Sequence, residues 1–368
     1  MRAIATAVAG RLRSLYARQP RLTVAGGAGL VVLLVATAVL AMRDTSEAAP
    51  EPTTTTTTTT TTEPPTTTTT APPPRAPLTG LTGEFQGRLD RPALFVKIDN
   101  VEKARPHAGI NQADIVIEEP VEGDLTRLAA VFHSTDAAVV GPVRSMRTTD
   151  LELVPLFGRP LFAASGGNAG VVPQIQAANV VDIGHHVSNA GFTRAGDRPA
   201  PHNLMSATLA LYAKSPEQPA PPLPLFSYRS EGEGLPQGSI AVGGIALRFG
   251  GPEVSRFTWH APTRTWARTQ RGTPHVDTAG ERVAPENVVV AEIDYDRSGQ
   301  TGRSVPHGVV TGQRRVVVLT AGQAVRGTWS RPTHADPFKL VADSGEEIKL
   351  TPGQTFIELP VVGGWAFI

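Results

Sequence analysis

Hydrophobic and polar positions divide this chain into stretches of different rhythm. Leu22–Met42 is an unbroken run of 21 residues without a charge. Wound as a helix it would be about 30 Å long, the thickness of a bilayer core. Residues 43–79 lose any apolar period, and the blocks Thr53–Thr62, Thr66–Thr70 and Pro72–Pro74 take over. From 80 to 223, short apolar runs alternate with runs of helical spacing. From 224 to 368, short runs follow one another between Gly, Pro and Asp turns, and few have helical spacing.

These rhythms predict elements. Pro92–Asp99 (PALFVKID) reads as a buried strand that ends in the polar pair Asp99-Asn100. Ala113–Glu119 and Leu125–His133 read as two strands joined by a turn at Pro120–Asp124, a hairpin. A helix follows Arg147, with Leu151, Val154 and Phe157 on one face, and another is spaced by Val171, Val172, Ile175 and Ala178. Pro160–Ala164 is a short strand between them. Strands alternating with helices predict an α/β-type layer domain at 80–223. After the Pro-rich stretch Pro216–Pro224, strands are expected at Ser239–Phe249, Val254–His260, Thr265–Thr269, Val288–Ile293, Val316–Thr320, Ala324–Ser330, Phe338–Val341, Glu347–Leu350 and Thr355–Leu359. They predict a β-rich, mostly antiparallel domain at 224–368, and an α+β class for the chain. Trp259, Trp266, Trp329 and Trp365 all fall here; core packing is the favoured role, sugar stacking the alternative. The turn carrying Arg268, Arg271, His275 and Asp277 is expected to face water.

Charge gives the apolar run a direction. Arg2, Arg11, Arg13, Arg18 and Arg21 precede it, with no acidic residue among them. Basic flanks stay in the cytoplasm, so residues 1–21 are expected inside, 22–42 across the cell membrane as a single-pass helix, and the rest outside. A cleaved signal peptide, ending near Val39 and Ala41, is the rival reading; the basic region and the apolar core are both long for one. Residues 43–79 are too polar to offset their ordering entropy and read as a disordered Thr/Pro-rich stalk. Extended, it spans on the order of 100 Å.

Composition removes several classes of function. There is no cysteine, so disulfides, thiolate metal ligands, a cysteine nucleophile and a lipoprotein cysteine are all excluded. The net charge is +1 and no nucleic-acid-binding pattern appears, so nucleic acid is not an expected partner. No GxSxG, SxxK or P-loop occurs, and no cofactor is implied.

What remains is polar residues at predicted strand ends, where sheets of this kind place their sites. Arg105, Arg127, Arg144 and Arg147 stand among Asp99, Asn100, Glu118 and Glu122. Arg144 and Arg147 before a helix, and the second helix entry with Gly166, Gly167 and Asn168, predict an anion site joined by His202 and Asn203. The competing reading pairs these charges with one another to fix loops. Asp99, Glu118 and Glu122 are also the candidate carboxylates for catalysis on a glycan. With His202 they are hard-metal donors in principle, but no metal motif supports this and no metal is expected.

The runs RPALFVKIDN, ARPHAGINQADIVIEEPVEGDLTRL, GPVRSMR and PHN, in that order, resemble the YerB-like family of bacterial envelope proteins. The resemblance extends from about Leu78 to the C-terminus. It implies an N-terminal α/β part, a β-rich C-terminal part and no established reaction, in proteins usually held by a lipoprotein anchor. Asp124 stands where the family usually has a second glycine, Met146 where a small residue is common, and the expected transmembrane helix replaces the lipoprotein cysteine. Two functions follow as expectations: a non-catalytic anchored protein that binds a cell-wall polymer or a wall-synthesis protein, or a carboxylate-dependent enzyme acting on envelope glycan.

Overall fold

A computed structural model describes residues 73–251, 255–298 and 305–368. The expected membrane helix at 22–42 and most of the expected stalk lie outside these residues. Among the described residues, no helix is long and apolar enough to cross a membrane.

The sequence from Leu94 to Phe132 supplies three strands whose residues are all buried: β1 (Leu94–Asp99), β2 (Ile115–Pro120) and β3 (Thr126–Phe132). Strands covered on both faces lose the polar alternation of a surface strand, which is why these read as continuous apolar runs. β3 lies between β1 and β2 and is antiparallel to both, with Asp99 opposite Arg127 and Glu118 opposite Leu128. β4 (Leu161–Ala163) and β5 (Val181–Asp182) extend the β1 edge in parallel.

On the other side, the strand Thr355–Glu358 runs parallel to β2, with Glu358 opposite Glu118. It is also parallel to Asn287–Ala291, beyond which come Gly312–Thr320, Gln323–Arg331 and Lys339–Ala342, each antiparallel to its neighbour. The result is a sheet of eleven strands with contributions from both sides of residue 224. A second sheet of five strands, all antiparallel, is built from Gly244–Leu247, Ser255–His260, Thr265–Gln270, Thr273–Pro274 and Trp365–Phe367.

Each face of the large sheet has its own core. Phe95, Ile117, Val131 and Ile357 pack with Leu153, Phe157, Val171 and Ile175 of the short helices α1 (Asp150–Leu153) and α2 (Val171–Ala177) and the turn after α1. Phe95 meets Phe157 edge-on at 5.9 Å and stacks on Phe162 at 5.4 Å. Such pairs add ~0.5–1.5 kcal/mol beyond area burial. On the opposite face, Val96, Leu128, Val116 and Phe356 pack against Ile245, Leu247, Phe257 and Trp266 of the second sheet.

The expected α/β layer domain is therefore overturned. The body is mostly β, with 36% strand and 11% helix. Helical spacing is present where expected, but the helices are short. Pro155 carries no N–H, and a 3₁₀ turn (Val154–Phe157) replaces the α-helix after four residues. α2 is seven residues long and ends at Ala178, whose backbone is extended. Of the expected strands, Glu347–Leu350 makes only isolated bridges, at Glu347 and Leu350.

Candidate functional site

β1, β2, β4, β5, Asn287–Ala291 and Thr355–Glu358 are mutually parallel. Their C-terminal ends meet along one edge of the sheet. Asp99, Glu118, Glu119, Asp182 and Glu358 are gathered there, with Arg127 at the start of β3. Alternation then sorts them. Asp99, Arg127 and Glu119 share a cross-strand row and point to the helix side; Glu118 and Glu358, one row earlier, point to the second sheet.

On the helix side, the fully buried Asp99 carboxylate is a hub. Oδ1 lies 3.2 Å from Nη1 of Arg127, and Oδ2 lies 3.2 Å from Nε of Arg144 and 2.7 Å from Nδ1 of His202. The start of β3 and the segment after Gly141-Pro142 deliver the two arginines, and the backbone N–H of Arg144 donates to the Lys97 carbonyl at 2.9 Å. Burial lowers the pKa of Arg127, and the cations Arg147 and Arg144 lower it further, against the pull of Asp99. Deeper in, Lys97 is fully buried and bridges Glu119 and Asp150, each at 2.8 Å. Burial works against the charged ammonium, but Asp150 and Glu119 outweigh it and hold the pKa above the ordinary lysine value. Burial, with Asp150 beside it, raises Glu119 to about 7 despite Lys97.

On the other face, Glu118 is fully buried and accepts hydrogen bonds on both oxygens. Oε1 accepts from Asn100 Nδ2 at 2.9 Å and Thr126 Oγ1 at 2.6 Å; Oε2 accepts from Ser255 Oγ at 2.9 Å and Arg268 Nη2 at 2.5 Å. Burial pushes its pKa up, but Arg268 and these hydrogen bonds hold it below the ordinary value. Its neighbour Glu358 is driven the other way, well above the carboxyl range, by burial and by the Glu118 charge. Neither Glu358 oxygen finds a donor. A proton kept on Glu358 satisfies the pair by donating to Glu118. Arg268 continues inward: Nη1 donates to His275 Nδ1 at 2.6 Å, and His275 contacts His107, which contacts the Asp99 carbonyl.

The candidate residues thus separate. Asp99, Arg127, Arg144 and His202 come together directly. Asn100 joins Glu118 on the far face. Glu122 is half-exposed and holds Arg147 through two hydrogen bonds, one of them 2.8 Å from Arg147 Nε to Glu122 Oε2. Gly166 accepts from the Met146 N–H at 2.8 Å, Gly167 packs beside Met146, and Asn168 Oδ1 caps the start of α2 at Val171 N, 2.9 Å away. Asn203 Oδ1 accepts from Arg194 Nη1 at 2.9 Å within a small hairpin. Arg105 lies apart, against His275 and Arg271. The three candidate carboxylates occupy three environments, and each has a cationic partner.

Arg268, His275 and Asp277, expected to face water, are buried. In Thr265–Gln270 the inward positions are Trp266, Arg268 and Gln270. A two-residue period starting at Trp266 was the available signal that Arg268 points inward. Glu358 and His107 also went unrecognised as members of the site.

Comparison with known proteins agrees with this architecture. The family model described as protein of unknown function (DUF3048), N-terminal domain, matches residues 78–220, and the corresponding C-terminal domain matches 245–357. "Putative lipoprotein YerB" of Bacillus subtilis (strain 168) is 30% identical over 297 residues, 77% of this chain and 86% of that protein. The crystal structure of YerB protein from Bacillus subtilis matches with a TM-score of 0.69 at 24% identity, covering 80% of this chain and 99% of that chain, and so shares the fold. Both halves of the family pattern are present in order, and the chain belongs to the DUF3048 family, the family of YerB.

Proposed function

We propose that this protein is a membrane-anchored, extracytoplasmic binding protein that holds an anionic group of a cell-wall polymer, or of a wall-synthesis protein, at the Asp99 cluster. The observation that carries this reading is the charge balance there. One buried carboxylate orients two guanidinium groups and an imidazole, which leaves a cationic surplus at the C-terminal edge of parallel strands. The Arg144 side chain is 24% exposed, so its outer N–H groups face solvent from a fixed base. A guanidinium held on one side by a carboxylate presents a prepared fork to carboxylate or phosphate on the other. The extracytoplasmic location is supported by the name of the Bacillus relative; this chain differs in containing no cysteine.

The test is sedimentation of the full chain with purified wall sacculi, before and after their anionic polymers are stripped. Binding is expected to fall on stripping and to fall ~10-fold or more for Arg144→Ala with Arg147→Ala. Unchanged binding by that variant, with the fold intact, sinks the proposal.

A further inference from the structure

A second group of arginines is arranged differently. The loop that follows β1 and the turn from Arg271 to Val276 enclose a pocket of about 320 Å³. Arg105 and Arg271 line it, with Glu102 also in the lining, Pro106 and Pro274 as apolar walls, and His275 beneath. Arg127, Arg144 and Arg147 each have a carboxylate partner. Among the described residues, Arg105 and Arg271 have none within 4.0 Å.

Arg105 is the less comfortable of the two. Its Nε is buried without an acceptor. Burial, then the nearby Arg268 and Arg271, lower its pKa, while Glu102 opposes them from a greater distance than an ion pair. Leaving a buried guanidinium N–H unmet costs ~1–3 kcal/mol, and the charge it belongs to is relieved when an anion meets the terminal N–H groups at the pocket. The floor does not supply one. His275 is neutral, and both its ring nitrogens are taken, by Arg268 and by His107. Arg268 is itself neutralised by Glu118. The pocket therefore carries two guanidinium charges and one carboxylate, a net single positive charge. That balance favours a monoanion and opposes a dianion. The volume is near the lower limit of ligand sites, enough for an anionic group and a short substituent between the prolines.

We propose that this pocket binds a carboxylate on a small organic group, or at the end of a peptide, forked between Arg105 and Arg271. The site is separate from the Asp99 cluster and does not rest on the function proposed for it.

The full chain is titrated by calorimetry, at constant ionic strength, with N-acetylalanine, N-acetylalaninamide and dimethyl phosphate. Saturable binding of N-acetylalanine is expected, with none of the amide and weaker binding of the phosphodiester. Arg271→Met, at an exposed turn and safe for folding, weakens binding ~10- to 100-fold, and Arg105→Met does the same. Arg144→Ala leaves it unchanged, which separates this pocket from the Asp99 cluster. The proposal is overturned if N-acetylalanine does not bind, if the amide binds equally, if dimethyl phosphate binds more tightly, or if Arg271→Met binds like the wild type.

Discussion

Nδ1 of His107 lies 2.8 Å from Nε2 of His275, with the two rings edge to face at 75° in a fully buried setting. The hydrogen positions follow from the ends of the chain. The Asp99 carbonyl, 2.7 Å from His107 Nε2, can only accept, so that nitrogen carries the hydrogen. Nδ1 of a neutral His107 then accepts from His275 Nε2, and His275 Nδ1 accepts from Arg268 Nη1. Every bond is made only when both rings are neutral. The chain ties the Glu118–Arg268 pair of the second sheet to the end of β1.

Neutral burial predicts a pH dependence. Burial, with Arg268 and Arg105 nearby, holds His107 at about 4, against the hydrogen bond to the Asp99 carbonyl, and holds His275 well below 6.5. Above pH ~6.5 neither state takes up the proton and the stability is complete. As the pH falls from ~6.5 towards ~4, the unfolded chain binds protons that the folded one refuses, and stability drops by ~1.4 kcal/mol per unit for each histidine. His107 alone accounts for ~3 kcal/mol over that window. Glu119 and Glu358 titrate with the opposite sign, so the measurement is a difference. Urea unfolding of wild type and His107→Gln between pH 7 and 4.5 is expected to show the stability gap shifting against the wild type as pH falls. Parallel curves would refute the neutral-pair assignment.

The carboxyl pair on the same face predicts an asymmetry. Glu358 holds a proton and Glu118 holds the charge that Arg268 neutralises. In Glu358→Gln the amide N–H donates to Glu118 in place of that proton, so the cost in urea unfolding at pH 7 is expected to stay within ~1 kcal/mol. Arg268→Met leaves the Glu118 charge buried without its cation and is expected to cost ~3–5 kcal/mol. Equal costs for the two would mean that Glu358 is ionised.

How much of this was legible depends on whether the cause was local. β1, β2 and β3 were readable because burial on both faces writes an apolar run into consecutive residues. The polar pair Asp99-Asn100 marked the end of β1 for the same reason. Helical spacing at Leu151, Val154 and Phe157 was also real, but the extent of the helix was decided by Pro155. The parallel insertion of Thr355–Glu358 beside β2 left no local trace, since its partner lies far away in sequence. Arg268 was misread because a charged side chain is expected outside, and the carboxylate that permits its burial, Glu118, is 150 residues away. Burial of a charge is a property of the pair and cannot be read from one member.

Asp124 predicts a gain. It follows Gly123 in the turn between β2 and β3, and its φ is +56°, in the left-handed region. Asp tolerates this conformation better than most residues, yet still at a cost that glycine avoids. Asp124→Gly is expected to be neutral to stabilising, by up to ~1 kcal/mol, while Asp124→Val destabilises by ~1 kcal/mol or more. Thermal unfolding of the two variants checks the order, and a stable Val variant would contradict it.

Asp99 supports the sharpest contrast. Arg127 is 5% exposed and depends on Asp99 for its charge partner, with Arg144 and Arg147 repelling it. Asp99→Asn keeps the shape, removes the charge, and is expected to cost ~3–5 kcal/mol. Glu122→Gln breaks a more exposed pair with Arg147 and is expected to cost less than ~1 kcal/mol. Phosphate then distinguishes two meanings of the cluster. If its cations accept an external anion, replacing chloride by phosphate at constant ionic strength restores part of the stability lost in Asp99→Asn, because an anion on the exposed side of Arg144 offsets the charge that Asp99 no longer balances. General salt effects would raise wild type, Asp99→Asn and Glu122→Gln alike. Urea unfolding of the three proteins in the two salts decides between them, and a uniform rise would count against anion binding at this edge of the sheet.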